Sequence, residues 1–413
     1  MLEKYFIRPI RIRQLRRGPL GPHLDDLAAE LHRQGYAVST AQSRLSLCGR
    51  FGAFARSEGV DVGDFDERVV KRFLDDLATE GLFPEAEPAM ALLLAHLRSK
   101  GVIPPAVSAT PAPVRDPLVD AYDVYLRHVK GLQPSTREAY LRGAVRVMRW
   151  VESKRRPLAS LSRTDVLTFI SASMVDAPSA TWRKHLCSET RGFLRFLGGE
   201  GHAQMGLDAA VPRTAHWRLD KIPRHLPWEQ VRRLIDSVDT SHPVGLRDKA
   251  VLLVLAMLGL RNGDVRRMRL ADIRWRTGEL RLPRTKSSKE RVLPLPREVG
   301  AAIADYVLHG RPVIDAPEVF VRHRAPRGAF TSSGGIGAIV ADHLRRTGIA
   351  TPCRGAHLLR HSMATRLVNA GVPIKTIADV LGHQSINTTA IYTKVDVTRL
   401  SMAALPFPTG GAR

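Results

Sequence analysis

The chain has 413 residues, too many for one compact core. It is 44% apolar and 25% charged, which excludes extended disorder. Its 63 Lys and Arg outweigh 40 Asp and Glu, a formal +23 that points to a polyanion, nucleic acid first, as partner.

No CxxC pair links Cys48, Cys187 and Cys353, so neither a disulfide framework nor a cysteine zinc site is expected, and a reducing cytoplasm suits them. The longest apolar run, Ala250 to Leu260, is too short for a membrane span. The opening MLEKYFIRPIRIRQLRRG lacks an apolar signal core, so a soluble, non-exported protein is expected.

Two proline-marked breaks, at Ile103 to Pro117 and Val211 to Pro227, divide the chain into three segments. The expected organisation is a helical unit over 1–102, a linker over 103–117, a second helical unit over 118–205, a linker over 206–225, a third domain over 226–405 and a tail over 406–413. The first two segments are related: an offset of 96 positions aligns Leu31 to Leu74 with the second unit without a gap. Gly35 then meets Gly131, Ser39-Thr40 meets Ser135-Thr136, Phe54 meets Trp150, Phe65 meets Leu161 and Phe73 meets Phe169. One helical unit used twice is the expectation. Each copy also offers a capping box, Ser39 with Gln42 and Ser135 with Glu138, ahead of the amphipathic runs Leu45 to Phe54 and Tyr140 to Trp150.

The third segment changes character. An apolar helix over Arg247 to Leu258 should stop at Gly259. Three short strands follow, Ile273 to Trp275, Glu279 to Leu282 and Arg291 to Leu295, with turns at Thr277-Gly278 and Lys286 to Ser288. Helices return at about Ala301 to Leu308, Ile336 to Arg346, His357 to Asn369, Ile374 to Leu381 and Thr388 to Thr393.

Five stretches of this domain carry side chains suited to a phosphodiester: LGLRNGDVRRMRL with Arg261, RTKSSKERVLPL with Lys286, HLLRHS with His357 and Arg360, LGHQS with His383, and IYTK with Tyr392. Attack on a phosphodiester builds negative charge on the phosphorus oxygens, and a guanidinium clamps such oxygens bidentately. A phenol serves as nucleophile only beside a base and a strong positive field. The order Arg, Lys, His-x-x-Arg, His, Tyr resembles the tyrosine recombinase or phage integrase family. The likeness covers Leu226 to Val397, and Asp116 to Gly199 is similar to the family's core-binding helical domain.

That resemblance implies a mainly α, multidomain fold: two helical SAM-like DNA-binding units followed by an α+β catalytic domain with a small antiparallel sheet. It implies a site-specific DNA recombinase of integrase or transposase type from a mobile element. Tyr392 would form a 3′-phosphotyrosyl link, Arg261 and Arg360 would clamp the phosphate, and His357 would accept or orient the phenolic proton. His383 would bond a phosphate oxygen, and Lys286 would protonate the departing 5′ oxygen, with Lys289 its nearest competitor. The covalent link conserves the bond energy, so no cofactor, neither metal nor ATP, is expected.

The expected partner is double-stranded DNA, bound as a homo-tetramer or beside other recombinases, in a prokaryotic cytoplasm at the nucleoid. No membrane and no small-molecule substrate are expected. Asp264 could orient the guanidinium of Arg261 or cap a helix. His361 reads as packing, and Tyr306, the rival phenol, as buried. Three other readings compete: a non-catalytic DNA-binding regulator of the same fold, a type IB topoisomerase or telomere resolvase, and a zinc hydrolase using His357, His361 and His383. The last lacks the Glu of HExxH.

Overall fold

The computed structural model describes residues 1–81, 83–105, 116–175, 178–213, 224–283, 290–351, 353, 355–383 and 385–395. Contacts divide the chain into two compact units, 106–220 and the remainder.

Among the described residues the N-terminal part has five α-helices: α1 (Pro9–Arg17), α2 (Gly21–Arg33), α3 (Val38–Ser57), α4 (Glu67–Glu80) and α5 (Ala86–Ser99). The next unit has four: α6 (Pro117–His128), α7 (Pro134–Ser153), α8 (Arg163–Met174) and α9 (Ala180–Gly199). The repeat read from the sequence extends to the elements themselves. Adding 96 to the bounds of α3 gives those of α7, and the 3-10 turns Val62–Asp64 and Leu158–Ser160 coincide in the same way. Gly35 and Gly131 both take positive φ between the matched helices. The aromatic pair that ties α3 to α4, Phe54 and Phe73 with ring centroids 5.5 Å apart, has its counterpart in Trp150 and Phe169 at 5.6 Å.

The capping boxes expected at Ser39 and Ser135 are not formed. Helices α3 and α7 begin at Val38 and Pro134, two residues earlier than caps at Ser39 and Ser135 would set them, with Ala37 and Gln133 as N-caps lacking a side-chain cap bond. In α7 the proline at the first helical position presets φ and needs no amide partner. The repeated cap lies one helix later. The Asp66 carboxylate accepts from the amides of Arg68 and Val69, and the equivalent Ser162 forms a capping box with Asp165.

The last domain is built on α10 (Trp228–Asp236) and α11 (Pro243–Leu258). Residues Ala250 to Ala256 of α11 are fully buried, so the helix is surrounded on every side, as its continuous apolar run requires. Gly259 closes it in the left-handed conformation at φ +60°, and α12 (Asn262–Arg267) starts directly after Arg261. Strands β1 (Ile273–Arg274), β2 (Glu279–Leu282) and β3 (Arg291–Pro294) form an antiparallel sheet in which Leu282 pairs with Arg291.

Helix α13 (Arg297–Asp305) runs into a π-turn at Tyr306–Gly310. A second, two-stranded sheet, β4 (Val321–Arg322) with β5 (Gly328–Ala329), was not foreseen; strands of two residues are too short to show alternation. Helices α14 (Gly334–Arg346), α15 (His357–Asn369) and α16 (Ile374–Leu381) follow. The helix expected over Thr388 to Thr393 is instead two 3-10 turns, Ile386–Thr388 and Ala390–Val395. Among the described residues no helix is long and apolar enough to cross a membrane.

Candidate active site

The C-terminal end of α16 gathers the charged groups. A helix leaves its last carbonyls without amide partners and carries partial negative charge there, so it attracts cations. Here three guanidiniums take three successive carbonyls: Arg291 Nη1 donates to Val380 at 2.6 Å, Arg360 Nη2 to Leu381 at 2.8 Å, and Arg261 Nη2 to Gly382 at 3.3 Å. Each comes from a different element: strand β3, helix α15 and the junction between α11 and α12. Arg360 also donates Nη1 to the Gly259 carbonyl at 2.5 Å, so the glycine that ends α11 helps hold it. Gly382 is in the left-handed conformation at φ +63°, and a Cβ there would run into the Arg291 guanidinium.

These cations exceed the negative charge beside them. Asp264 is buried, with Oδ1 3.4 Å from Arg267 Nη2 and Oδ2 3.8 Å from Arg291 Nη2. Its carboxylate therefore serves Arg291 and Arg267, where Arg261 or a helix cap had been expected. Arg261 Nη1 and Arg291 Nε and Nη2 are buried without a hydrogen-bond partner. Burial and then the Arg261 charge pull Arg360 down to about 10, which leaves it protonated at neutral pH. Burial lowers Arg291 as well. Buried donors without acceptors are costly, and an oxyanion supplies what they lack.

Three histidines surround this charge. His383 Nε2 lies 2.8 Å from Arg360 Nη2, and a guanidinium only donates, so Nε2 accepts and the proton sits on Nδ1. That Nδ1–H donates to Thr389 Oγ1 at 2.7 Å. Burial, then Arg360 and Arg261, push His383 down to about 4, so the ring is neutral. His357 opens α15; desolvation, then Arg360 and Arg261, lowers it. His361 is pushed down to about 4 by burial, then by His357, Arg360 and His225.

Tyr392 is buried, packed in a satellite core with Met363, Ala364, Val368, Ile377 and Leu381. Its hydroxyl is 2.7 Å from His361 Nδ1. Burial raises the phenol to about 12, while the positive charges of Arg360 and Arg261 act on it in the opposite direction. Of the six residues singled out by sequence, five (Arg261, His357, Arg360, His383 and Tyr392) thus lie in one neighbourhood. The sixth, Lys286, falls outside the described residues, as does Lys289.

Two contributors escaped the sequence reading. Arg291 sits on the same side of β3 as the buried Leu293, while Val292 between them is 48% exposed. A cation on the apolar face of a strand was the available signal. His361, read from the sequence as packing, instead meets the Tyr392 hydroxyl. It follows His357 by four residues, and i,i+4 positions share a helix face; their rings are 6.4 Å apart. Tyr306 is fully buried, as expected, with its hydroxyl 3.2 Å from His323 Nε2.

The Phage integrase family model matches residues 224–399, and the model for the phage integrase N-terminal SAM-like domain matches 119–201. The integrase/recombinase y4rF of Sinorhizobium fredii (strain NBRC 101917 / NGR234) is 40% identical over all of this chain and 97% of its own length. Tyrosine recombinase XerD of Listeria innocua serovar 6a is 29% identical over 68% of this chain and 95% of its own. Among solved structures, the fold is shared with the XerH site-specific recombinase bound to palindromic difH substrate in a post-cleavage complex. That match has TM-score 0.56 and 18% identity, covering 69% of this chain and 82% of that one. A lambda integrase(75–356) dimer bound to a COC' core site gives TM-score 0.53 at 18% identity, covering 67% and 93%. With a full-length relative at that identity and the same fold beneath it, this chain belongs to the phage integrase family of tyrosine recombinases, enzymes of site-specific DNA strand transfer.

Proposed function

We propose that Tyr392 is the nucleophile of this recombinase and that Arg261 and Arg360 clamp the scissile phosphate in double-stranded DNA. The reading is supported above all by the unpartnered buried donors of Arg261 and Arg291 around the end of α16, beside a buried phenol on which the charges of Arg360 and Arg261 act. An arriving phosphate oxygen gives those donors an acceptor, and they stabilise the charge that builds as the phosphorus is attacked. Attack forms the Tyr392 O–P bond, breaks the bond from phosphorus to the 5′ oxygen, and leaves a 3′-phosphotyrosyl enzyme with a free 5′ hydroxyl. Lys286, between β2 and β3 in sequence, gives the departing oxygen its proton; His357 takes the proton that Tyr392 loses, and His383, bonded to Arg360, stands beside the phosphate. A 5′ hydroxyl from the partner duplex reverses the step.

Exchange between two duplexes calls for four active sites, so the working form is a homo-tetramer on DNA, in the cytoplasm at the nucleoid. The two repeated helical units suit a grip on the duplex ahead of the catalytic domain. The test is covalent trapping: the full chain, incubated with a nicked suicide duplex selected from a randomised pool, gives an SDS-stable adduct. Tyr392→Phe binds the same duplex and gives none; an adduct that survives the substitution removes Tyr392 from the role.

A further inference from the structure

The imidazole in contact with the nucleophilic hydroxyl is not the one that the His-x-x-Arg motif singles out. His361 Nδ1 is 2.7 Å from the Tyr392 hydroxyl, and the two rings lie 5.6 Å apart at 51°. We infer that His361 is a positioning residue for the strand-transfer reaction, holding the Tyr392 oxygen in the direction from which it meets the phosphate. The inference rests on Tyr392 being the nucleophile and adds a partner for it.

The backbone alone fixes this oxygen poorly. Tyr392 stands in a 3-10 turn, Ala390–Val395, an element with weaker hydrogen-bond geometry than an α-helix. The satellite core around Met363, Ile377 and Leu381 holds the ring by contact that sets no direction for the hydroxyl. A phenol swung about its first side-chain bond moves its oxygen by several ångströms, whereas attack needs the reacting atoms at about 3 to 3.5 Å. The bond to His361 supplies the missing constraint.

Its chemistry suits that task better than proton removal. Burial keeps His361 neutral and Tyr392 protonated at neutral pH, so this is a hydrogen bond between neutral groups, in which either tautomer of the ring fixes the hydroxyl and the proton stays on oxygen. His361 itself stands on the helix that carries Arg360, four residues from His357, with the two imidazole rings 6.4 Å apart. One rigid helix thus presents the clamp for the phosphate and the guide for the nucleophile.

The test compares two substitutions in the full chain on the nicked suicide duplex described above, with adduct formation followed in a single turnover and DNA affinity measured separately. His361→Phe keeps a flat aromatic ring and loses the nitrogen; adduct formation slows about 10- to 100-fold with affinity unchanged. His361→Asn places an amide where Nδ1 was and restores the rate to within about 5-fold of the unaltered chain, which a packing role would not predict. Full speed in His361→Phe overturns the inference, and so does an equal loss in both variants, which would make the ring and not its Nδ1 bond the requirement. In either case loss of the adduct in Tyr392→Phe leaves the nucleophile assignment standing; an adduct in Tyr392→Phe sinks that assignment and this inference with it.

Discussion

Tyr306 and Tyr392 are the two buried phenols of the catalytic domain among the described residues, and by local chemistry they are near twins. Each hydroxyl touches a histidine, at 3.2 Å for Tyr306 with His323 and 2.7 Å for Tyr392 with His361. Each phenol is raised to about 12 by burial, and each histidine is lowered to about 4 by the same cause. What separates them is the state of the nearby cations. Beside Tyr306, Arg247 is paired with Asp248 at 2.7 Å, Asp248 also meets His343 at 3.1 Å, and Arg311 spends its donors on the carbonyls of Ala316, Glu318 and Val319. Beside Tyr392, Arg261 and Arg291 keep buried donors without partners. A tyrosine next to a histidine therefore does not single out either phenol; the proposal for Tyr392 turns on the unpartnered guanidinium donors near it.

The contrast can be broken by exchanging the roles of the two phenols. Tyr392→Phe should lower strand cleavage by at least about 10⁴-fold in a single-turnover assay, while Tyr306→Phe should leave it within about 2-fold. Comparable losses in the two variants would show that both act through stability alone. Next in size, Arg360→Ala should slow cleavage about 10²- to 10³-fold with a smaller effect on DNA affinity, and Arg360→Lys should recover only part of it. Arg291→Met sharpens the comparison further. If the third guanidinium sets the turn that carries His383, cleavage drops about 10-fold; an unchanged rate would confine Arg291 to stability.

Much of the fold could be read from the residues because its signals are local and periodic. The offset of 96 that joined Gly35 to Gly131 also placed α3 on α7, since buried positions repeat with the helices that bury them. The capping box at Ser135 failed for a physical reason: Pro134 starts α7 without help from a side chain, so Ser135 is drawn inside the helix. In the site, Arg261, Arg360 and Tyr392 were legible as residue types in order. What sequence could not show is which carbonyl each guanidinium would meet, because the meeting point at α16 is made by elements far apart in the chain. Arg291 and His361 were within reach of strand and helix periodicity and were passed over for lack of that step.

Two smaller effects complete the series. Tyr306→Phe should cost about 1 kcal/mol of stability through loss of the hydrogen bond to His323, read from the urea midpoint. Acidification is the mildest lever. The unfolded chain protonates His323, His361 and His383 near their usual 6.5, whereas the folded chain resists until about 4. Between those values the unfolded state binds more protons, so stability rises with pH there and falls as pH drops from 7 toward 4. Thermal melting should show Tm falling over that window, and His323→Gln should flatten the fall; a Tm insensitive to pH across it would mean these rings are not held neutral.

The most direct test is to find the atom that DNA becomes attached to. The adduct formed by the unaltered chain on the nicked suicide duplex, digested with nuclease and protease and sequenced by mass spectrometry, should carry its phosphate on the peptide containing Tyr392. A phosphate on the Tyr306 peptide, or on any residue other than Tyr392, would contradict the account.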